Sequence, residues 1–265
     1  MRSAPVFAFV ALAVVLPAAT PAQSGPLARV NGIYVEGAGG VNWLNDSTGF
    51  YTLRPDHPSP ALRNREFPST TDYETGWGVS GRLGYAMASG LRFDAEIAYR
   101  ENDVKGSTFL ATNGVNDFTA RDDGATGHAR SVALMANGYY DFLNSSGITP
   151  YIGGGIGAAN VGGKYTSSFE PITQHANTID DSDWGFAAQA IGGLSVALSS
   201  NLSLVADYRY LKVFDVSTFQ AQPTTPANPL FAAANVGGRG DYENHTVMVG
   251  LRYSFDNPSP RVPLK

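Results

Sequence analysis

The chain contains no cysteine, which excludes disulfides and thiolate metal sites. Charge is sparse, at 15% of residues, and 18 Lys and Arg are outnumbered by 23 Asp and Glu. No basic patch of the kind a nucleic-acid surface needs is present. No stretch reads as an amphipathic helix, and past the N-terminus no apolar run is long enough to cross a membrane as one. The four histidines, His57, His128, His175 and His245, are scattered, the first three in polar links between alternating segments. No cofactor or metal signature accompanies them. Asp180-Asp181-Ser182-Asp183 and Arg121-Asp122-Asp123 lack the spacing of a calcium loop and read as solvated loop. Arg239-Gly240-Asp241 matches an adhesion tripeptide, but a match of that length is near chance.

Glycine and aromatic rings are plentiful instead: 30 Gly, 13 Tyr, 14 Phe and 3 Trp. The start of the chain has its own logic. A positive Met1-Arg2-Ser3, an apolar run from Val6 to Leu16 and small residues up to Ala22 have the layout of a secretory signal peptide, residues 1–22. A short leader, 23–31, follows it.

The most informative stretch is the last strand-like run. From Val247 to Phe255 the odd positions are Val, Val, Leu, Tyr and Phe, and the even ones Met, Gly, Arg and Ser. This is a period of two with one apolar face. With no helical layer to cover that face, it is expected to look out at lipid, with Arg252 turned into a closed barrel. Ile33 to Trp43 alternates in the same way. Between these two segments lie three expected hairpins: Trp77–Met87 with Leu91–Arg100, Ser131–Phe142 with Ile148–Ala158, and Trp184–Leu198 with Leu202–Leu211. Long polar links, 45–75, 101–130, 160–183 and 212–243, separate them. The prolines of 45–75 argue against strand there.

Strict alternation of short and long connections, an even strand count and strands of roughly 10 residues predict an all-β fold. It is an eight-stranded antiparallel up-and-down transmembrane β-barrel over residues 32–255, with short periplasmic turns and long extracellular loops. Closure follows because lipid offers no partner to edge N–H and C=O groups. The Pro-rich residues 256–265 read as an extended periplasmic tail.

Ring positions give a separate check. Trp43, Trp77, Trp184, Tyr208 and Tyr210 fall at the outer ends of strands on the lipid face, and Tyr140, Phe142, Tyr253 and Phe255 near the turns. That is the pattern of two aromatic girdles. The opposite parity carries the charges, with Glu36, Arg82, Glu96, Asp207, Arg209 and Arg252 near mid-depth and Arg92, Asp94, Arg100 and Asp141 also inward. Buried charges need partners, so the first expectation is an ion-pair network plugging the barrel, in which Arg82→Ala strands Glu36 or Glu96. A narrow conducting path is the alternative, since Gly153, Gly155 and Gly157 leave one inner strip bare. A lipid-modifying enzyme at the outer rim is a second alternative, but no serine pairs with His245 by sequence. No catalytic residues are assigned.

Five pieces in order, Gly32-Ile33-Tyr34-Val35, Tyr139-Tyr140-Asp141-Phe142, Thr149-Pro150-Tyr151-Ile152-Gly153-Gly154-Gly155-Ile156-Gly157, Asp207-Tyr208-Arg209-Tyr210 and Gly250-Leu251-Arg252-Tyr253-Ser254-Phe255, carry a likeness. Together they resemble the outer membrane protein A-like family of small barrels, in particular its surface-antigen branch. The resemblance implies a Gram-negative outer membrane and insertion by the assembly machinery that recognises a final aromatic, which Phe255 matches. It also implies contact with outer-membrane lipids and lipopolysaccharide, and surface loops that meet a host or cell-surface ligand. Phe255 is followed by ten further residues, too few for the peptidoglycan-binding domain some relatives carry.

Overall fold

The computed structural model describes residues 31–53, 60, 65–112, 117–144, 147–166, 178–221 and 233–255. The expected signal peptide, nearly all of the leader, the tail, His57 and His175 lie outside them. Among the described residues the elements in chain order are all strands: β1 (Gly32–Leu44), β2 (Ser47–Leu53), β3 (Glu66–Tyr73), β4 (Gly76–Ala86), β5 (Leu91–Thr112), β6 (Asp117–Asp122), β7 (Thr126–Asp141), β8 (Ile148–Thr166), β9 (Thr178–Ala197), β10 (Leu202–Ala221) and β11 (Ala233–Ser254). Eight of these form a ring, β1-β4-β5-β7-β8-β9-β10-β11, closed by antiparallel pairing of β11 with β1. No edge is left on this ring, as a lipid environment requires.

The turns obey local chemistry. Gly90 takes φ +93°, a conformation costly for residues with a Cβ, and its N–H donates to the Met87 carbonyl at 3.0 Å. At the β9–β10 turn the Leu198 N–H donates to the Leu202 carbonyl at 2.8 Å.

The period of two sorts the faces as expected. Leu83, Ile97, Ile152 and Ile156 all point outward and are more than half exposed, between 57% and 61%. Such a wall is ruinous in water and suited to hydrocarbon. Trp43, Trp77, Trp184, Tyr208, Tyr140, Phe142 and Phe255 are exposed on the same face, and Tyr210 and Tyr253 share their parity. Edge-on ring pairs, Tyr140 with Phe142 at 5.2 Å and Tyr253 with Phe255 at 5.2 Å, line the turn end.

Two expectations are corrected. The long links are largely strand: β5 and β11 each run 22 residues, and β8, β9 and β10 carry on well past their expected ends. His128 and the acidic runs therefore sit on strands, His128 opposite Asp103, Asp180–Asp183 in β9 and Arg121-Asp122 in β6. In these extensions buried apolar residues such as Val161, Val213, Val216 and Tyr242 are scattered among Gly, Ser, Thr and Asp, so no sustained apolar alternation marks them. Residues 45–75 also contain strand, despite their prolines. β1 and β4 stop at Leu44 and Gly76, and the hairpin β2–β3 takes their place between β11 and β5. Pro68 is accommodated because the β3–β5 register begins one residue later, at Ser69.

Candidate functional site: the charged barrel interior

Register builds the site. Across β11, β1, β4 and β5 the residues Arg252, Glu36, Arg82 and Glu96 stand directly opposite one another in turn. Alternating charge along one row makes Glu36 a neighbour of two bases and Arg82 a neighbour of two acids. Glu36 thus accepts from Arg252 Nε at 2.8 Å and from Arg82 Nη1. Arg82 also lies 3.6 Å from Glu96 and 3.6 Å from Asp207.

Arg209 closes the network from the far wall. Its Nε and Nη2 fork onto Asp207 at 2.7 and 3.1 Å, while Nη1 meets both oxygens of Glu96 at 2.7 and 2.8 Å. Asn137 and Gln189 add donors to Glu96 at 2.8 and 3.2 Å, and Tyr151 donates to Asp207 at 2.9 Å. Every mid-depth charge expected from parity is inside, and all six are brought into one connected cluster.

The expectation for Arg82→Ala is corrected by this geometry. Glu36 would keep Arg252 and Glu96 would keep Arg209, so neither acid is stranded. The bare strip is corrected as well. Gly153, Gly155 and Gly157 do face inward, but Tyr139, Asn137 and Met135 lean over them from β7, and a Cβ on Gly153 would sit 2.3 Å from the Tyr139 ring.

Toward the turn end lies a layer that charge alone did not reveal. Arg92 pairs with Asp141 at 3.1 Å, donates to Tyr34 at 3.3 Å and lies 4.0 Å from the centre of the Tyr139 ring and 5.0 Å from that of Tyr151. Asp94 is met by the Tyr34 hydroxyl at 2.7 Å and Asn137 Nδ2 at 2.8 Å. The tyrosines share parity with Glu36, Asp141 and Gly153, so the alternation that located the charges also marks them.

Toward the rim the lining is divided. Ala133, Met135, Ala159, Val161, Ala187, Leu211, Val213, Val216 and Tyr242 form a buried apolar cluster. Beside it Asn42, Asn244, Thr246 and Arg100 make a polar chain, with Asn244 to Asn42 at 3.0 Å and Thr246 to Asn244 at 2.8 Å. His245 faces outward: its Nδ1 is 2.6 Å from the Tyr208 hydroxyl, and its ring lies against Tyr208 and Tyr210. Asp241 of the Arg-Gly-Asp stretch is held by Lys212 at 2.7 Å.

A closed antiparallel ring of eight strands, oily without and ionic within, defines an outer-membrane β-barrel. The comparisons agree: residues 8–255 match the model of the outer membrane protein beta-barrel domain, and the chain belongs to that family. It is 29% identical over 255 residues to an uncharacterized protein of Brucella suis, covering 87% of each chain. It is 27% identical over 246 residues to the outer membrane protein PagN of Salmonella typhimurium, covering 88% of this chain and 94% of that one. Among solved structures, the outer membrane protein OprG of Pseudomonas aeruginosa superposes with a TM-score of 0.51 at 15% identity, over 87% of this chain and 99% of that one, a likeness of fold. The protein therefore resides in the outer membrane of a Gram-negative bacterium, with its short turns periplasmic and its rim extracellular.

Proposed function

We propose that this barrel is a non-conducting structural protein of the outer membrane A-like, surface-antigen type, which presents its extracellular rim for contact with other molecules. The observation that carries this reading is the Arg209–Glu96 contact, because it joins opposite walls and fills the lumen at mid-depth. An eight-stranded barrel is only wide enough for its side chains. The tall wall above the outer girdle, built from β2, β3, β6 and the upper parts of β5 and β7–β11, supports a role at the cell surface. Export by a signal peptide over 1–22, insertion through recognition of Phe255 and a periplasmic tail over 256–265 belong to the same reading.

We read the protein as non-enzymatic, since His245, the one histidine weighed as a base, faces the membrane and is bonded to a tyrosine. A narrow channel is the second reading. It draws support from Arg82 Nε, Gln189 Oε1 and Arg252 Nη2, lumenal atoms with no hydrogen-bond partner among the described residues. Planar-bilayer recording separates the two. The plug reading expects a silent wild type; reproducible unit conductance that disappears on changing Arg82 or Glu96 would overturn it.

A further inference from the structure

Four of the five interior arginines meet a carboxylate: Arg82 and Arg252 at Glu36, Arg92 at Asp141, and Arg209 at Glu96 and Asp207. Arg100 does not. Its side chain is fully buried, Nε donates to Thr246 Oγ1 at 3.2 Å, and Nη1 and Nη2 have no partner among the described residues.

The surroundings explain why no acid reaches it. Arg100 stands between Gly78 of β4 and Ser131 of β7. Its stem crosses Gly78, where a Cβ would come 3.2 Å from Arg100 Cγ. The polar groups buried in the rim-side lining beside it, Asn42, Asn102, Ser131, Tyr242, Asn244 and Thr246, are all neutral. Glu96, four residues down the same strand, is already met by Arg209 and Arg82, and Asp94, which meets no arginine among the described residues, lies six residues down, roughly 20 Å away at 3.3 Å per residue. Both of its oxygens are already bonded, to Tyr34 and Asn137. A guanidinium shut away from water with two bare nitrogens is strongly disfavoured unless a counter-charge accompanies it.

We propose that Arg100 anchors a small-anion site in the outer half of the barrel, taking one monovalent inorganic ion of the size of chloride. Nη1 and Nη2 bind the ion. Leu211 and Val213 are fully buried and Val216 nearly so, so this level of the barrel is packed and suits a monatomic ion rather than a carboxylate or phosphate ester.

The test uses the folded full chain in detergent. Thermal unfolding is followed in sodium chloride and in sodium gluconate at matched ionic strength, and crystals are soaked in bromide for anomalous diffraction. The wild type should melt higher in chloride, by roughly 2–4 °C at about five times the dissociation constant. A bromide peak should lie within hydrogen-bonding reach of Arg100 Nη1 and Nη2. Arg100→Met should lose both responses. If that variant fails to fold, the bromide position in the wild type decides alone. Equal melting in the two salts, a chloride response that survives in Arg100→Met, or bromide peaks only elsewhere would each overturn the assignment.

Discussion

Arg209 on β10 contacts Glu96 on β5 with one nitrogen between both carboxylate oxygens, and the two strands stand four places apart whichever way the ring is followed. A single ion pair thus spans the lumen, and the same guanidinium forks onto Asp207 beside it. Without Arg209, Glu96 and Asp207 would keep only Arg82, 3.6 Å from each and hydrogen-bonded to neither, and breaking a buried ion pair from one side costs more than the pair itself contributes.

Arg209→Ala is therefore expected to lower unfolding stability by about 3–5 kcal/mol in urea titrations of the folded barrel. Arg82→Ala should cost less, about 1.5–3 kcal/mol, because Glu36 and Glu96 each keep another arginine. Equal losses for the two variants would mean the network is not arranged around Arg209.

Inward and outward assignment was legible in the sequence because a period of two needs no knowledge of neighbours. Glu36, Arg82 and Arg252 could each be placed inside from their own strands. Their standing in one row could not, since register depends on turn geometry and closure. Tyr34, Tyr139 and Tyr151 carried the inward parity but no charge, and so went unnoticed as part of the interior. The extensions of β5 and β8–β11 were illegible for a different reason. Above the girdle, the buried Val161, Val213, Val216 and Tyr242 are scattered among Ser, Thr, Gly and Asp, residue types that also form loops.

Glycine positions distinguish the two faces. Gly153→Ala drives a methyl group toward the Tyr139 ring and should cost about 1–3 kcal/mol. Gly192→Ala faces open space on the outer wall and should be neutral or slightly stabilising. A denaturant midpoint for each variant checks the difference, and matching values would contradict the inward placement of the Gly153 strip.

Depth on the lipid face is measurable by charge insertion. Val249→Arg lies on the exposed face of β11, midway in sequence between His245 and Tyr253, and should cost about 2–4 kcal/mol in liposome refolding. Ile33→Arg, at the periplasmic end, should cost about 0–1 kcal/mol. Similar penalties at both positions would place the bilayer elsewhere.

The upper wall should be separable from insertion but not from stability. Replacing residues 222–232 with a short turn leaves β10 and β11 whole as described, and should preserve both folding and the urea midpoint. Excising 212–243 removes Val213, Val216 and Tyr242 from the apolar cluster. That variant should still insert, yet unfold at lower urea, and an unchanged midpoint would mean the cluster contributes nothing.

Site-directed spin labelling along Val247–Arg252 in lipid vesicles reaches the central claim most directly. Labels at Val247, Val249 and Leu251 should be accessible to oxygen dissolved in the bilayer, and labels at Met248, Gly250 and Arg252 shielded from it. Oxygen accessibility with no period of two, or with the opposite phase, would contradict a wall that faces lipid around a sealed ionic interior.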